Sequence, residues 1–263
     1  MIALNIKTQY SLLSSMIQIP KLVKRASDIG YRTLAIMDSN LFGAREFMLA
    51  CEKVGIKPII GLEVEVDHYV ILLYAENEYG YQSLLKLATL KSERSLTLDD
   101  LARENNGLLA VVPYASLSYY ELINKLYPVV LKGYQTFDER RELDGDLVYI
   151  RPIYYLEKQD QEYYPYLEAI RRGVPIREVV KDPLNYALPT KEEYQSIPDM
   201  DSFLKIDSMC HLTLTIHKDL LPIYPCPDGK EPYLYLRELC KEGLKRLFGE
   251  RVNKVYIDRL KYE

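Results

Sequence analysis

Short apolar runs of period two alternate with longer apolar stripes of helical period along most of this chain, and that alternation decides its fold class. Ile2, Leu4 and Ile6 alternate with Ala3, Asn5 and Lys7, as in a strand. Ile19, Leu22, Val23, Ala26 and Ile29 then line one face of a helix, with Pro20 near its start and Gly30 at its end. Residues 33–38 read as a second strand and Ala44–Val54 as a second helix closed by Gly55. Lys57–Val66 reads as a third strand, with Glu63 and Glu65 on the face opposite Leu62, Val64 and Val66. A fourth strand over 70–74 precedes a helix over 81–92. Thr97 with Asp100 three residues later predicts a capping box for a short helix ended by Gly107. Further strands are expected at 108–112, 129–131 and 147–151, with a helix over 116–127. Seven strands interleaved with helices predict an α/β chain, and a parallel barrel suits that count better than an open sheet. Functional groups of such barrels gather at the C-terminal strand ends, here residues 5–14, 38–43, 63–68 and 151–155.

The texture changes after about residue 198. A helix over 199–209 leads into a segment rich in proline and turn residues, and two helical stretches follow at 233–248 and 253–263. The division expected is a barrel over 1–197 and a mostly helical extension over 198–263. The last pattern, KVYIDRLKYE, stops without a capping or breaker signal, so the chain reads as cut short.

Composition excludes several classes. With 34 Lys+Arg against 38 Asp+Glu the net charge is −4, which argues against a free-standing nucleic-acid binder held by phosphate neutralisation. No apolar run approaches the ~18 residues of a membrane span, and the first residues lack the pattern of a signal peptide. Cys51, Cys210, Cys226 and Cys240 form no CxxC pair, so a reduced, cytoplasmic protein is expected. Three histidines (His68, His211 and His217) are too few for a histidine-rich metal centre. The 24 tyrosines, against 5 phenylalanines and no tryptophan, suit amphipathic core edges better than base-stacking surfaces, because many sit in apolar patterns or doublets.

Beyond these patterns, the stretches MIALNIKTQYSLLSS and LAIMDSNLFGAREFMLACEKVGIKPIIGLEVEV resemble a known family. It is the N-terminal PHP (polymerase and histidinol phosphatase) domain of bacterial DNA polymerase III alpha subunits, of the DnaE type found in low-GC Gram-positive bacteria. The likeness continues in AENEYGYQSLLKLATL, LEAIRRG, HKDLLPIYPCPDGKEPYLYLRELCKEGLKRLFG and YIDRLKYE, and is weakest between about 110 and 145. It implies a distorted seven-stranded (β/α) barrel of PHP type, followed by a mostly helical extension that leads into a polymerase palm.

The resemblance also implies where a metal centre would sit. Active PHP domains carry a His-x-His pair and an aspartate at positions occupied here by Asn5, Lys7 and Ser14. The Asp-His after the second strand reads Asp38-Ser39, and a later Asp-x-His tip reads Pro152-Ile153-Tyr154. Only Asp38 and the strand-three glutamate, Glu63, survive. A multinuclear phosphoesterase needs several imidazoles and carboxylates around its ions, with an open position for water. The expectation is therefore a vestigial pocket with no metal and no catalytic residue, in which Lys7 pairs with Glu63 in place of the ion. A surface carboxylate is the plainer reading of Glu63.

Other features are weaker. The PDMDSF stretch at 198–203 superficially resembles a two-carboxylate magnesium motif, but it lacks a third acid and falls in a helix. His68, His211 and His217 read as surface or structural residues. Lys241, Lys245 and Arg246 read as a solvated helix face, or as contacts to a nucleic-acid backbone. The resemblance implies a buttressing role within a DNA-directed DNA polymerase, whose Mg2+ and catalytic acids lie outside this segment. It also implies partners: the remaining polymerase, primer-template DNA, and replisome proteins such as a sliding clamp or proofreading exonuclease. The alternatives are a metal-dependent phosphoesterase or 3′–5′ exonuclease, and a protein-docking module.

Overall fold

The computed structural model describes residues 1–180, 182–214, 222 and 224–263. Two compact units divide at Leu214. The first holds seven strands: β1 (Ile2–Ile6), β2 (Thr33–Ile36), β3 (Lys57–Val66), β4 (Tyr69–Ala75), β5 (Leu108–Pro113), β6 (Val130–Tyr134) and β7 (Leu147–Tyr149). Its helices are α1 (Ile19–Ile29), α2 (Ala44–Val54), α3 (Glu78–Glu93), α4 (Leu98–Arg103), α5 (Tyr120–Asn124), α6 (Phe137–Arg141), α7 (Tyr164–Arg172), α8 (Lys191–Gln195) and α9 (Met200–Met209). The second unit contains α10 (Pro232–Phe248) and α11 (Lys254–Tyr262), where Phe248 stacks on Tyr256 at 4.6 Å.

The strands neighbour one another in sequence order, and the sheet curls until its two edges meet. Ile6 bridges Ile153, with Lys7 N–H donating to Ile153 O at 3.0 Å and Ile153 N–H to Asn5 O at 2.8 Å. The fold is thus the distorted seven-stranded α/β barrel expected, with one correction. It is not all parallel, because β4 runs antiparallel to both β3 and β5. Only Asp67 and His68 separate β3 from β4, and both have positive φ (50° and 70°), as a type I′ hairpin turn requires. A two-residue connection cannot carry the crossover that a parallel neighbour needs.

Alternation along the strands divides the core. Leu34 and Ile36, Ile60 and Leu62, or Leu108 and Ala110, face helices α1 to α5, where α1 buries Ile19, Leu22, Val23 and Ala26. At about 1.5–3 kcal/mol for each fully buried aliphatic side chain, that stripe alone justifies the helix. Ala35, Met37, Ile59, Leu72, Tyr74, Leu109 and Val111 fill the interior, together with Phe203, Ile206 and Cys210 from the α9 region. The helix read from sequence beyond residue 197 therefore belongs to the barrel's own core. The sequence pattern predicts a single helix over 116–127. The chain instead forms a 3-10 stretch (Tyr114–Tyr119) followed by the short α5. Pro113 and the run of tyrosines favour short turns there over a continuous ridge.

Two glycines fix the seat of α3. A Cβ on Gly80 would lie 1.8 Å from the Gly107 carbonyl oxygen, so the helix meets the β5 approach backbone to backbone. Gly107 itself has φ +66°.

Candidate functional site

Functional groups converge at the C-terminal ends of β1, β2 and β3. Ala3 pairs with Leu34 and Ile6 with Ile36, so Leu4 and Asn5 together lie opposite Ala35, which is a β-bulge. Past the bulge Ile6 packs with the helices' core, and Lys7 enters the barrel mouth. The phenol of Tyr74 donates to the bulge carbonyl of Leu4 at 2.9 Å from inside the barrel.

Lys7 is the centre of the site. Its side chain is 6% exposed, and its Nζ lies 2.7 Å from Glu63 Oε2 and also donates to the Met37 carbonyl. The pair expected from sequence therefore forms, with Glu63 (34% exposed) closing the mouth side. Asp38 is buried and fully engaged elsewhere. Its Oδ1 accepts from Thr8 N–H at 2.7 Å and Ser11 Oγ at 2.5 Å, and its Oδ2 accepts from Thr8 Oγ1 at 2.6 Å. The backbone joins the two acids, because Glu63 N–H donates to Asp38 O at 3.0 Å. Lys91 reaches over from α3 and donates to the carbonyls of Glu63 at 2.9 Å and Ser39 at 3.1 Å. Burial holds the Lys91 ammonium below its usual range, opposed by the charge of Glu63.

The remaining expected positions are structural. Asn5 is buried and donates from Nδ2 to Ile150 O at 2.8 Å across the barrel seam, while its buried Oδ1 meets no donor among the described residues. Ser14 contributes a backbone hydrogen bond to Ser11 O, whereas its neighbour Ser15 does the tying: Oγ donates to Lys7 O at 2.6 Å and lies 3.0 Å from Tyr154 O. Ser39 is exposed and offers only its carbonyl. Pro152 is buried, and Tyr154 stacks on Tyr164 at 5.0 Å. Burial and, to a smaller extent, Tyr164 and the Glu63 charge push the Tyr154 phenol well above its usual range.

Thr8, Ser11, Ser15 and Lys91 were not singled out by sequence reasoning. The Thr8-x-x-Ser11 spacing near a strand end was the available signal for the first two. Lys91 gave none, since helix α3 brings it from 28 residues beyond Glu63.

These residues do not fit a divalent cation. The Asp38 oxygens already accept three hydrogen bonds, and an ammonium stands against the Glu63 carboxylate where an ion would be bound. Among the described residues no three of His, Cys, Asp and Glu converge as metal ligands.

The other candidates disperse. Asp199 of the PDMDSF stretch takes a bidentate hydrogen bond from Arg140 (2.6 and 2.8 Å) and another from Tyr134 Oη at 2.8 Å, while Asp201 is exposed. Arg140 holds the Asp199 carboxyl below the usual carboxylate range. His68 sits in the β3–β4 turn with its side chain 98% exposed, and His211 is exposed. His217 lies outside the described residues. In the second unit Lys241, Lys245 and Arg246 are exposed on α10, with Lys245 3.5 Å from Glu250. Among the described residues no helix is long and apolar enough to cross a membrane.

The chain is 30% identical to the DNA polymerase III subunit alpha of Halalkalibacterium halodurans, over 98% of this chain and 27% of that protein. It is 28% identical to the Bacillus subtilis protein of the same name, over 99% and 27%. A Streptococcus pyogenes protein of that name is 33% identical over 66% of this chain. The chain thus spans about a quarter of the length of the first two relatives. Among solved structures, a Bifidobacterium adolescentis protein assigned as a metal-dependent phosphoesterase matches with a TM-score of 0.38 at 13% identity, covering 74% of this chain and 94% of that one. The PHP domain model matches residues 3–171, and the chain belongs to the PHP domain family.

Proposed function

We propose that this chain is the PHP module of a DNA polymerase III alpha-type polypeptide, and that its work there is architectural. The observation that carries this reading is the Lys7 ammonium bound to Glu63, with Met37 O as its second acceptor. A fixed organic cation holds three strand tips together where an active relative would hold ions. Both surviving carboxylates are already engaged, Asp38 by Thr8 and Ser11 and Glu63 by Lys7, which supports a structural role over metal-assisted hydrolysis. Nucleotide addition, with its Mg2+ and carboxylates, belongs in this reading to the rest of the polypeptide. That remainder is the module's first partner, and primer-template DNA, a sliding clamp or a proofreading exonuclease would be reached through it. The exposure of Lys241, Lys245 and Arg246 along α10 supports an added contact to template backbone.

Two measurements test the reading. The reading frame that carries this chain should encode a palm with three aspartates. The chain purified without chelator should hold well under one zinc, manganese or iron per molecule and hydrolyse no phosphoester. Stoichiometric metal together with hydrolysis abolished by Glu63→Ala would replace the architectural role with a phosphoesterase.

A further inference from the structure

The barrel closes at its mouth and stays open lower down. Among the described residues β1 pairs in a ladder only with β2, and β7 only with β6, so the Ile6–Ile153 bridge joins the two edges. Below it the edge amide of Ile2 donates to Tyr194 Oη at 3.0 Å instead of to a strand. The gap holds a cavity of about 320 Å3, bounded by β1, by residues 149–153, by parts of the 185–198 segment, and by Phe203. That volume falls at the low end of ligand pockets, roughly 300–1,000 Å3.

The walls are aromatic and cationic. Tyr31, Tyr149 and Phe137 supply ring surface, and Arg151 and Lys158 supply charge. Arg151 is held in place: its Nε and Nη2 donate to Gln135 O at 3.1 and 2.9 Å, its Nη1 donates to Asn185 O at 3.5 Å, and its guanidinium lies 5.5 Å from the Tyr149 ring centroid. Those bonds leave further guanidinium N–H groups for a ligand. Among the described residues neither Arg151 nor Lys158 has a carboxylate within ion-pair distance. Glu193 also lines the cavity, but its carboxylate accepts Thr190 N–H at 3.0 Å in the capping box of α8.

We infer that this seam cavity is a binding site for a small planar aromatic anion, a single ring system with one phosphate or carboxylate. The ring would lie against the tyrosine and phenylalanine walls, and the anionic group would take the Arg151 fork, with Lys158 as the second cation. The inference uses the seam alone and is independent of the polymerase reading.

The test titrates the purified chain with thymidine 5′-monophosphate, 4-hydroxybenzoate and neutral thymidine, followed by calorimetry and amide NMR. At least one of the two anions should bind saturably, and neutral thymidine at least tenfold more weakly than the anion that binds. The phosphate and carboxylate arms decide which source of the anion the site takes. Arg151→Gln should weaken binding tenfold or more. Ala187→Leu, filling the cavity from a buried lining position, should abolish binding in a chain that still unfolds cooperatively. Ser196→Phe at the exposed rim serves the same purpose if Ala187→Leu does not fold. Failure of both anions at millimolar concentration would overturn the inference. So would anion binding that survives the cavity-filling variant, or thymidine binding as tight as the better-bound anion.

Discussion

Lys7 Nζ and Glu63 Oε2 stand 2.7 Å apart at the mouth of the barrel, with the lysine side chain 6% exposed and the glutamate 34%. The pair is buried on one side and wet on the other, which ranks its two single substitutions. Glu63→Gln leaves an ammonium inside the barrel without a counter-charge, facing only the Met37 carbonyl and a neutral amide. It should cost about 2–4 kcal/mol, toward the 3–5 kcal/mol typical of a broken buried pair. Lys7→Met leaves a carboxylate that water can still reach, and should cost less, about 1–2 kcal/mol. A double-mutant cycle by urea unfolding should return a coupling of roughly 1–3 kcal/mol. No coupling would mean that the strand tips are held by the backbone alone.

Chelation should leave the fold untouched. The cation at Glu63 is covalently part of the chain, so EDTA should not shift Tm, and added Mn2+ or Zn2+ should not raise it through a site at the barrel mouth. A metal-dependent rise in Tm that Glu63→Ala removes would contradict this, because a ligand that binds only the native state must stabilise it.

Gly80 offers a test of packing. Its ideal Cβ would lie 1.8 Å from Gly107 O and 2.8 Å from Gly107 C, atoms of a backbone that cannot rotate away. Overpacking typically costs about 1–3 kcal/mol, and a rigid backbone neighbour places Gly80→Ala at or above the top of that range. Gly243→Ala on α10, with nothing within 4 Å, should instead be neutral or stabilising by up to about 1 kcal/mol. Chemical denaturation of both variants separates the two cases.

These features were unequally legible in the sequence. Helix α2 and strand β3 match their expected limits because Gly55 separates a helical stripe from a period-two run. The reversal of β4 was hidden, since Asp67-His68 carries no glycine to announce a turn with two positive φ values. Lys7 and Glu63 were expected to pair only because the resemblance to PHP domains places both at metal-ligand positions, where a lysine and a glutamate carry opposite charges. The sheath of Thr8 and Ser11 around Asp38 was not expected, as hydroxyl residues near a strand end are common and their direction depends on the local turn. The seam cavity has no sequence signature, because it arises from two edges that fail to pair below Ile6.

Acid sensitivity follows from two carboxylates. Arg94 makes a bidentate contact with Asp100 (2.6 and 2.7 Å), and Thr97 adds a hydroxyl and an amide, so the Asp100 carboxyl is held far below the usual carboxylate range. Arg140 lowers Asp199 in the same way, aided by Tyr134. A carboxyl whose folded pKa lies below its unfolded value, about 3.9 for aspartate, binds fewer protons when folded. Its stabilisation is complete above that unfolded value and is lost as the pH falls towards the folded one. The first unit should therefore keep its stability from neutral pH down to about pH 5 as far as these two groups are concerned, and lose it progressively below about pH 4. Asp100→Asn and Asp199→Asn should lower stability at pH 7 and flatten the acid limb, since each removes one proton-linked group. Unfolding free energies measured between pH 7 and pH 3 decide the matter: an acid limb as steep in the double variant as in the parent chain would assign acid unfolding to other carboxylates.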